Sequence, residues 1–263
     1  MPATTATHPS PPLLAIEGPV ATVTLNRPAH RNRLEEEDLH VLLRHFAQID
    51  DTASVRVVLL TANTSGQRQP VFCAGYHMGN FDSPDSDPHF FERVPDALAA
   101  LRPVTICALN GSVYGGATDL VLACDLRMAL AGVEFRMPAA ALGLHYYPSG
   151  LQRYVSRLGI DGAKRAFLSA RPLSAETLRD LGCLETAGDA TALAEEVDRL
   201  VSDVAALAPL AAQATKSSLN EIARGQPDVA AMRARERLTL ASADFREGRL
   251  AFGEKRRPVF QGR

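Results

Sequence analysis

Cysteine is scarce in this chain of 263 residues and follows no recurring pattern. Cys73, Cys107, Cys124 and Cys183 are widely spaced in apolar surroundings, with no CxxC pair and no histidine at zinc-finger spacing. Neither a disulfide framework nor a structural metal is indicated, and each thiol is expected buried and free. Long apolar runs are also missing: Val55–Ala62 and Val104–Leu109 are far too short to span a bilayer. Neither sign of charge prevails, since 28 Lys and Arg against 30 Asp and Glu leave a formal −2. That balance offers no general pull toward nucleic acid or anionic lipid. Residues 1–12 lack the basic start and apolar centre of a secretion signal and read as a frayed, disordered tail. With reduced thiols, this points to a cytoplasmic location.

What remains is an ordinary globular composition, 46% hydrophobic and 22% charged, enough for one large domain with a small appendage. Two β-rich runs around Glu17-Gly18-Pro19 predict a hairpin. In the next segment Leu39, Leu42, Leu43, Phe46 and Ile49 recur at helical spacing. VRVVLLTA and VTICAL read as strands buried on both faces, a helix ends near Leu101, Leu120–Ala123 is helical, and DLRMAL is again strand-like. Strands alternating with helices argue for an α/β fold. After Pro172 the segments Ser174–Leu181, Leu193–Leu207, Pro209–Arg224 and Asp228–Arg246 read as helices, with no convincing strand among them. Residues 13–205 are therefore assigned to the core and 206–263 to a C-terminal helical region.

Two loops after buried strands carry glycine where backbone must approach something closely. In Cys73-Ala74-Gly75-Tyr76 the small residues leave the amide of Tyr76 unobstructed, and in Tyr114-Gly115-Gly116-Ala117 the amide of Gly116 opens a helix. Two N–H donors converging on one point stabilise an oxyanion, whereas either turn alone is an ordinary strand-to-helix connection. Four of the five tyrosines, Tyr76, Tyr114, Tyr146 and Tyr147, lie in or beside glycine-bearing loops. Polar-tipped aromatics of this kind suit a pocket wall.

The succession LNRPAHRNRL, VFCAGYHM, ALNGSVYGGATDLVLACDLRMAL, FRMPAAALGLHYYPSG and ADFREGRLAFGEKRRPVFQGR resembles the enoyl-CoA hydratase/isomerase (crotonase) superfamily over nearly the whole chain. NGSVYGGA and the tyrosine after LGLH are most similar to its methylmalonyl-CoA decarboxylase branch. The resemblance implies a core of ββα turns coiled into two nearly perpendicular sheets, and a helical C-terminal region that makes homotrimers or dimers of trimers. It also implies an acyl-CoA substrate, with coenzyme A arriving as part of that substrate and no separate cofactor or metal. The oxyanion hole maps onto Tyr76 and Gly116. The family's two glutamates fall on Asp119, one methylene shorter, and on Ala139, which carries no proton; hydration and isomerisation lose half their usual machinery. Decarboxylation needs no general base, and its site tyrosine maps onto Tyr146 in preference to Tyr147. The remaining substrate-lining positions are Arg31, Arg33, Ala74, His77, Met78, Tyr114, Gly115, Leu142 and His145. His77 reads as a turn cap or a proton shuttle, and His145 as a candidate substitute for the missing glutamate. Arg31 and Arg33 match a CoA-contacting loop, to which Lys255 and its neighbours Arg256 and Arg257 are candidate additions. A decarboxylase or related lyase is expected first, then a hydratase or isomerase with replaced acid/base groups, then a non-catalytic acyl-CoA-binding homologue.

Overall fold

The computed structural model describes residues 10–77, 79, 87 and 89–263. Leu13–Glu17 (β1) and Val20–Leu25 (β2) form the expected hairpin, antiparallel and turned through Gly18 at φ +58°. Glu36–Asp51 (α1) follows, its first turn closed by a reciprocal cap in which Asp38 accepts from the Glu35 amide at 2.8 Å. Leu39, Leu42, Phe46 and Ile49 fill its buried face as their spacing predicts, with Leu43 only partly covered. The chain then runs twice through the same sequence of strand, strand and helix. Val57–Ala62 (β3) and Val71–Cys73 (β4) lead to Arg93–Ala100 (α2), and Val104–Leu109 (β5) and Ser112–Tyr114 (β6) lead to Ala117–Ala123 (α3). Leu126–Leu130 (β7) and Glu134–Arg136 (β8) repeat it a third time and lead to Pro148–Ser169 (α4), which is interrupted at Gly159 (φ +68°, ψ 169°).

This repetition sorts the strands into two sheets. The first strand of each unit joins a six-stranded sheet ordered β1-β2-β3-β5-β7 and closed by Glu185–Ala187 (β10). The second joins a four-stranded sheet ordered β4-β6-β8 and closed by Leu173–Ser174 (β9). Strands β4, β6 and β8 are mutually parallel neighbours. The three loops leaving them therefore emerge side by side from the carboxyl ends of the strands, the edge where parallel sheets gather functional groups. The core between sheets and helices holds the large buried side chains Tyr154, Phe72, Phe135 and Ile106.

Several expectations need correction. The frayed tail was expected to reach residue 12, but Ser10 donates to Asn26 O at 3.1 Å and the Pro12 carbonyl meets His45 at 2.9 Å; residues 1–9 lie outside the described residues. Two short strands, β9 and β10, occur after residue 172, each completing a sheet edge over too few residues to show alternation. Helix α4, with its mixed polar sequence, has no counterpart in the sequence reading. Beyond Ala175–Asp180 (α5), Ala190–Ala205 (α6) and Pro209–Ala223 (α7), the expected helix from Asp228 to Arg246 is two, Val229–Ala241 (α8) and Ala243–Glu254 (α9). They part at Ser242, whose hydroxyl accepts from Phe245 N at 3.0 Å and so caps the second helix instead of continuing the first. All four thiols are free and buried, and burial pushes that of Cys73 up to about 12. No helix among the described residues is long and apolar enough to cross a membrane.

Candidate active site

The loop after β4 is zipped to the segment before α1. Ala74 N donates to Arg31 O, Leu34 N to Gly75 O and His77 N to Leu34 O, each at 2.9 Å, and Cys73 Sγ reaches Asn32 O at 2.8 Å. Leu34 and Tyr76 form a parallel bridge. Because neighbouring peptide groups alternate sides in extended chain, the bridge turns the Tyr76 N–H away from Leu34. On that far side stands the loop after β6. Gly75 (φ +99°) packs so closely that a Cβ there would meet Tyr114 O at 2.9 Å and Gly115 Cα at 3.6 Å, so both the dihedral and the contact demand glycine. Gly116 then starts α3 in helical geometry, and its amide donates to no atom among the described residues. A Cβ on Gly116 would lie 2.7 Å from Phe91 Cζ. The Phe91 ring lies 5.4 Å from that of Tyr76 and 6.2 Å from that of Tyr147, so one aromatic spans all three loops.

Behind Gly116 lies a buried charge. Asp119 is 0% exposed, and its two oxygens take the fork of Arg153 at 2.9 Å (Nε to Oδ1) and 2.6 Å (Nη2 to Oδ2). The Tyr147 hydroxyl donates to Asp119 Oδ2, and Tyr146 donates to the Tyr147 oxygen at 3.0 Å. The third nitrogen of Arg153 reaches Asp96 Oδ1 at 2.6 Å. A bidentate guanidinium with a hydroxyl supplies the hydrogen bonds that a dehydrated carboxylate requires. Burial, then the nearby charge of Asp119, pushes both tyrosine hydroxyls well above the ordinary phenol range, so they stay protonated. Burial alone disfavours the charge on Arg153, but Asp119 and Asp96 outweigh it and raise its pKa.

The structure brings Tyr76, Gly116, Asp119, Tyr146 and Tyr147 into one neighbourhood, with Tyr147 next to Asp119. Tyr147 touches Asp119 and keeps a partly open side, while Tyr146 is 6% exposed and stands behind it with its ring 4.2 Å from that of Tyr147. Gly115 (φ +57°) links the second loop to Arg136 O. Ala139 is buried in a single helical turn, Ala139–Leu142, whereas Leu142 and His145 are exposed and His145 makes no hydrogen bond among the described residues. His77 Nδ1 and the guanidinium of Arg33 both lie on Glu35, at 2.9 and 2.7 Å, and the Tyr114 hydroxyl turns to Glu134 at 3.3 Å. Ala74 is exposed, and Met78 lies outside the described residues. Arg31, in left-handed geometry, lines a cleft of about 510 Å³ with Gln67 and Arg68. Lys255 is exposed just beyond α9, and Arg256 is held by Glu247 and Glu254.

Sequence reasoning missed Arg153, Asp96 and Phe91. An arginine within a polar helix carries no mark of its partner, and a lone phenylalanine carries none of the loops it will join. Among the described residues no cluster of three or more His, Cys, Asp or Glu side chains is placed to hold a metal.

The chain is similar to known proteins in sequence and in fold. The sequence profile of the family described as enoyl-CoA hydratase/isomerase matches residues 15–263. The Bacillus subtilis protein YngF, named for enoyl-CoA hydratase/isomerase, is 31% identical over 92% of this chain and 95% of its own. The 2,3-dehydroadipyl-CoA hydratase of Escherichia coli is 29% identical over 93% and 96%. Among solved structures, an enoyl-CoA hydratase/isomerase family protein from Hyphomonas neptunium superimposes with a TM-score of 0.87 at 26% identity, covering 97% of this chain and 98% of that one.

Proposed function

The chain belongs to the enoyl-CoA hydratase/isomerase family and has its crotonase fold, and we propose that it acts on an acyl-CoA thioester through an enolate held by the main-chain N–H groups of Tyr76 and Gly116. Two observations support that pair: the close approach of Gly75 to Gly115, and the Tyr76 N–H facing away from Leu34. A preorganised donor of this kind contributes about 3–4 kcal/mol to a transition state in which the oxygen becomes charged.

The reaction is one that needs no free carboxylate base, and decarboxylation fits best. One observation carries this choice: Asp119 spends both oxygens on Arg153 and Tyr147, and the other family position holds Ala139. In the step, the bond between the substrate's α-carbon and its carboxylate breaks and the electron pair passes into the thioester enolate. Carbon dioxide leaves, and Tyr147 returns a proton to the α-carbon and is reprotonated by solvent from its partly open side. Asp119 holds Arg153 and orients the hydroxyl; it is not the proton acceptor. Phe91, Tyr76 and Tyr147 keep water from the enolate. Arg31 and Arg68 face the cleft where a CoA phosphate would be met.

A hydratase is the second reading, favoured by the names of relatives such as the 2,3-dehydroadipyl-CoA hydratase. Turnover assays on methylmalonyl-CoA and crotonyl-CoA, with calorimetry of acyl-CoA binding, separate the readings. Carbon dioxide release with no hydration is the expected result, and brisk crotonyl-CoA hydration overturns the assignment of Ala139. Binding with no turnover on either ester supports a non-catalytic acyl-CoA-binding homologue.

A further inference from the structure

Helix α4 buries Gly150, Tyr154, Leu158 and Ala166, and beside that apolar face runs a polar one on which Ser149, Arg153 and Arg157 are half-buried and Gln152 and Ser156 exposed. Ser149, Gln152, Arg153, Ser156 and Arg157 recur three and four residues apart, hence on one side, and all five line a cavity of about 380 Å³ closed by α2 and the end of α7. The alanines of α2 leave the room: Ala99 and Ala100 stand where larger side chains would fill the space.

Two groups in this wall are short of partners among the described residues. Ser149 Oγ is buried from solvent with no hydrogen bond. Arg157 makes a single contact, Nε to Leu122 O at 3.4 Å, so both of its amino groups are without a hydrogen-bond or ion-pair partner among the described residues. The carboxylate nearest in influence, Asp125, is already taken by Lys216 at 2.8 Å, and Arg127 adds positive charge from the same side. The other acid in the wall, Asp96, is committed to Arg153. Arg153, Arg157 and Arg224 against Asp96 and Asp119 leave one positive charge unanswered. Folded proteins seldom leave a buried hydroxyl and a half-buried guanidinium unpaired unless something else satisfies them.

We infer that this cavity is a binding site for a small oxyanion, distinct from the thioester site and built from Ser149, Arg157 and Arg224. Arg157 supplies a planar pair of donors, Ser149 a hydroxyl and Arg224 charge at the mouth, a set that suits inorganic phosphate or a small carboxylate. The volume lies at the lower end of the range for ligand pockets. Arg153 forms part of the wall and grips Asp119 with its other two nitrogens, so an occupant sits one ion pair from the catalytic cluster.

The test is thermal unfolding of the purified full chain, free of CoA esters, in rising inorganic phosphate with chloride holding ionic strength constant. A saturable rise is expected, about 3–6 °C once phosphate reaches roughly ten times its dissociation constant. Arg157→Gln should abolish the rise and Ser149→Ala should weaken apparent affinity several-fold, while Arg31→Gln, in the separate CoA cleft, should leave it intact. Should Arg157→Gln fail to fold, Arg224→Gln and Ser149→Ala carry the test. A rise that never saturates, that survives Arg157→Gln, or that disappears in Arg31→Gln overturns the inference. None of these outcomes depends on which acyl-CoA is turned over.

Discussion

Two clusters of charge flank the same three loops. Behind them, Asp119 and Arg153 are 0% and 12% exposed, joined through a bidentate fork with a tyrosine hydroxyl completing the shell. In front, Arg33, Glu35 and His77 are 40%, 29% and 39% exposed around a single carboxylate. The bond lengths are alike, but the energetics differ. In the first cluster, loss of one member strands a charge that water cannot reach. In the second, water and salt take over. The rear cluster therefore holds the catalytic loops in place, and the front one does little beyond seating His77 against its turn.

Stability should divide along this line. Arg153→Met leaves Asp119 buried and unanswered, and a loss of about 3–5 kcal/mol is expected, read as a lower urea midpoint at unchanged m-value. Adding Asp119→Leu should restore part of it, because neither charge then remains. A loss below about 1 kcal/mol for the single variant would put the two clusters on one footing. Gly116→Pro removes a main-chain donor and crowds Phe91; turnover of any acyl-CoA substrate should fall about 10²–10³-fold while calorimetric affinity changes little. An unchanged rate would end the enolate reading.

The rear cluster can also be resolved internally. Tyr147→Phe should lower kcat about 10²-fold with KM nearly constant, whereas Tyr146→Phe, one hydroxyl further back, should cost far less. Equal losses would mean that the pair acts as one unit. The smallest change belongs to the front cluster, where Glu35→Gln should cost under about 1 kcal/mol. Burial works against the Glu35 carboxylate, but Arg33 and His77 outweigh it and hold its pKa below that of a free glutamate. The unfolded chain thus binds the proton more readily. The contribution of Glu35 is present above about pH 4.5, fades as pH falls through its lower folded pKa, and the gap between wild type and Glu35→Gln should close there.

The strands β3, β5 and β7 were legible because each is a short apolar run with no helical alternative, and α1 because its apolar residues keep one period. The glycine loops were legible too, since Gly75 and Gly115 are needed for backbone geometry that no other residue adopts easily. The edge strands β9 and β10 were not, because two or three residues carry no periodicity and are strands only by virtue of a neighbour. Helix α4 went unread for another reason: its buried face, Gly150, Tyr154, Leu158, Gly162, Ala163 and Ala166, is made mostly of small residues that leave a weak amphipathic signal. Ala139 could be placed in the family pattern, but the commitment of Asp119 to Arg153, 34 residues away, could not.

Local order along the chain was enough to establish the α/β alternation, the glycine turns, the absence of a second carboxylate at Ala139 and the kinship with acyl-CoA enzymes. Those properties depend on residue type and near-neighbour spacing, which the covalent chain carries directly. The pairing of Asp119 with Arg153, the contact of Tyr147 with Asp119 and the span of Phe91 across three loops arose on folding. They join residues distant in sequence, and their strength comes from exclusion of water, which no unfolded stretch of chain possesses.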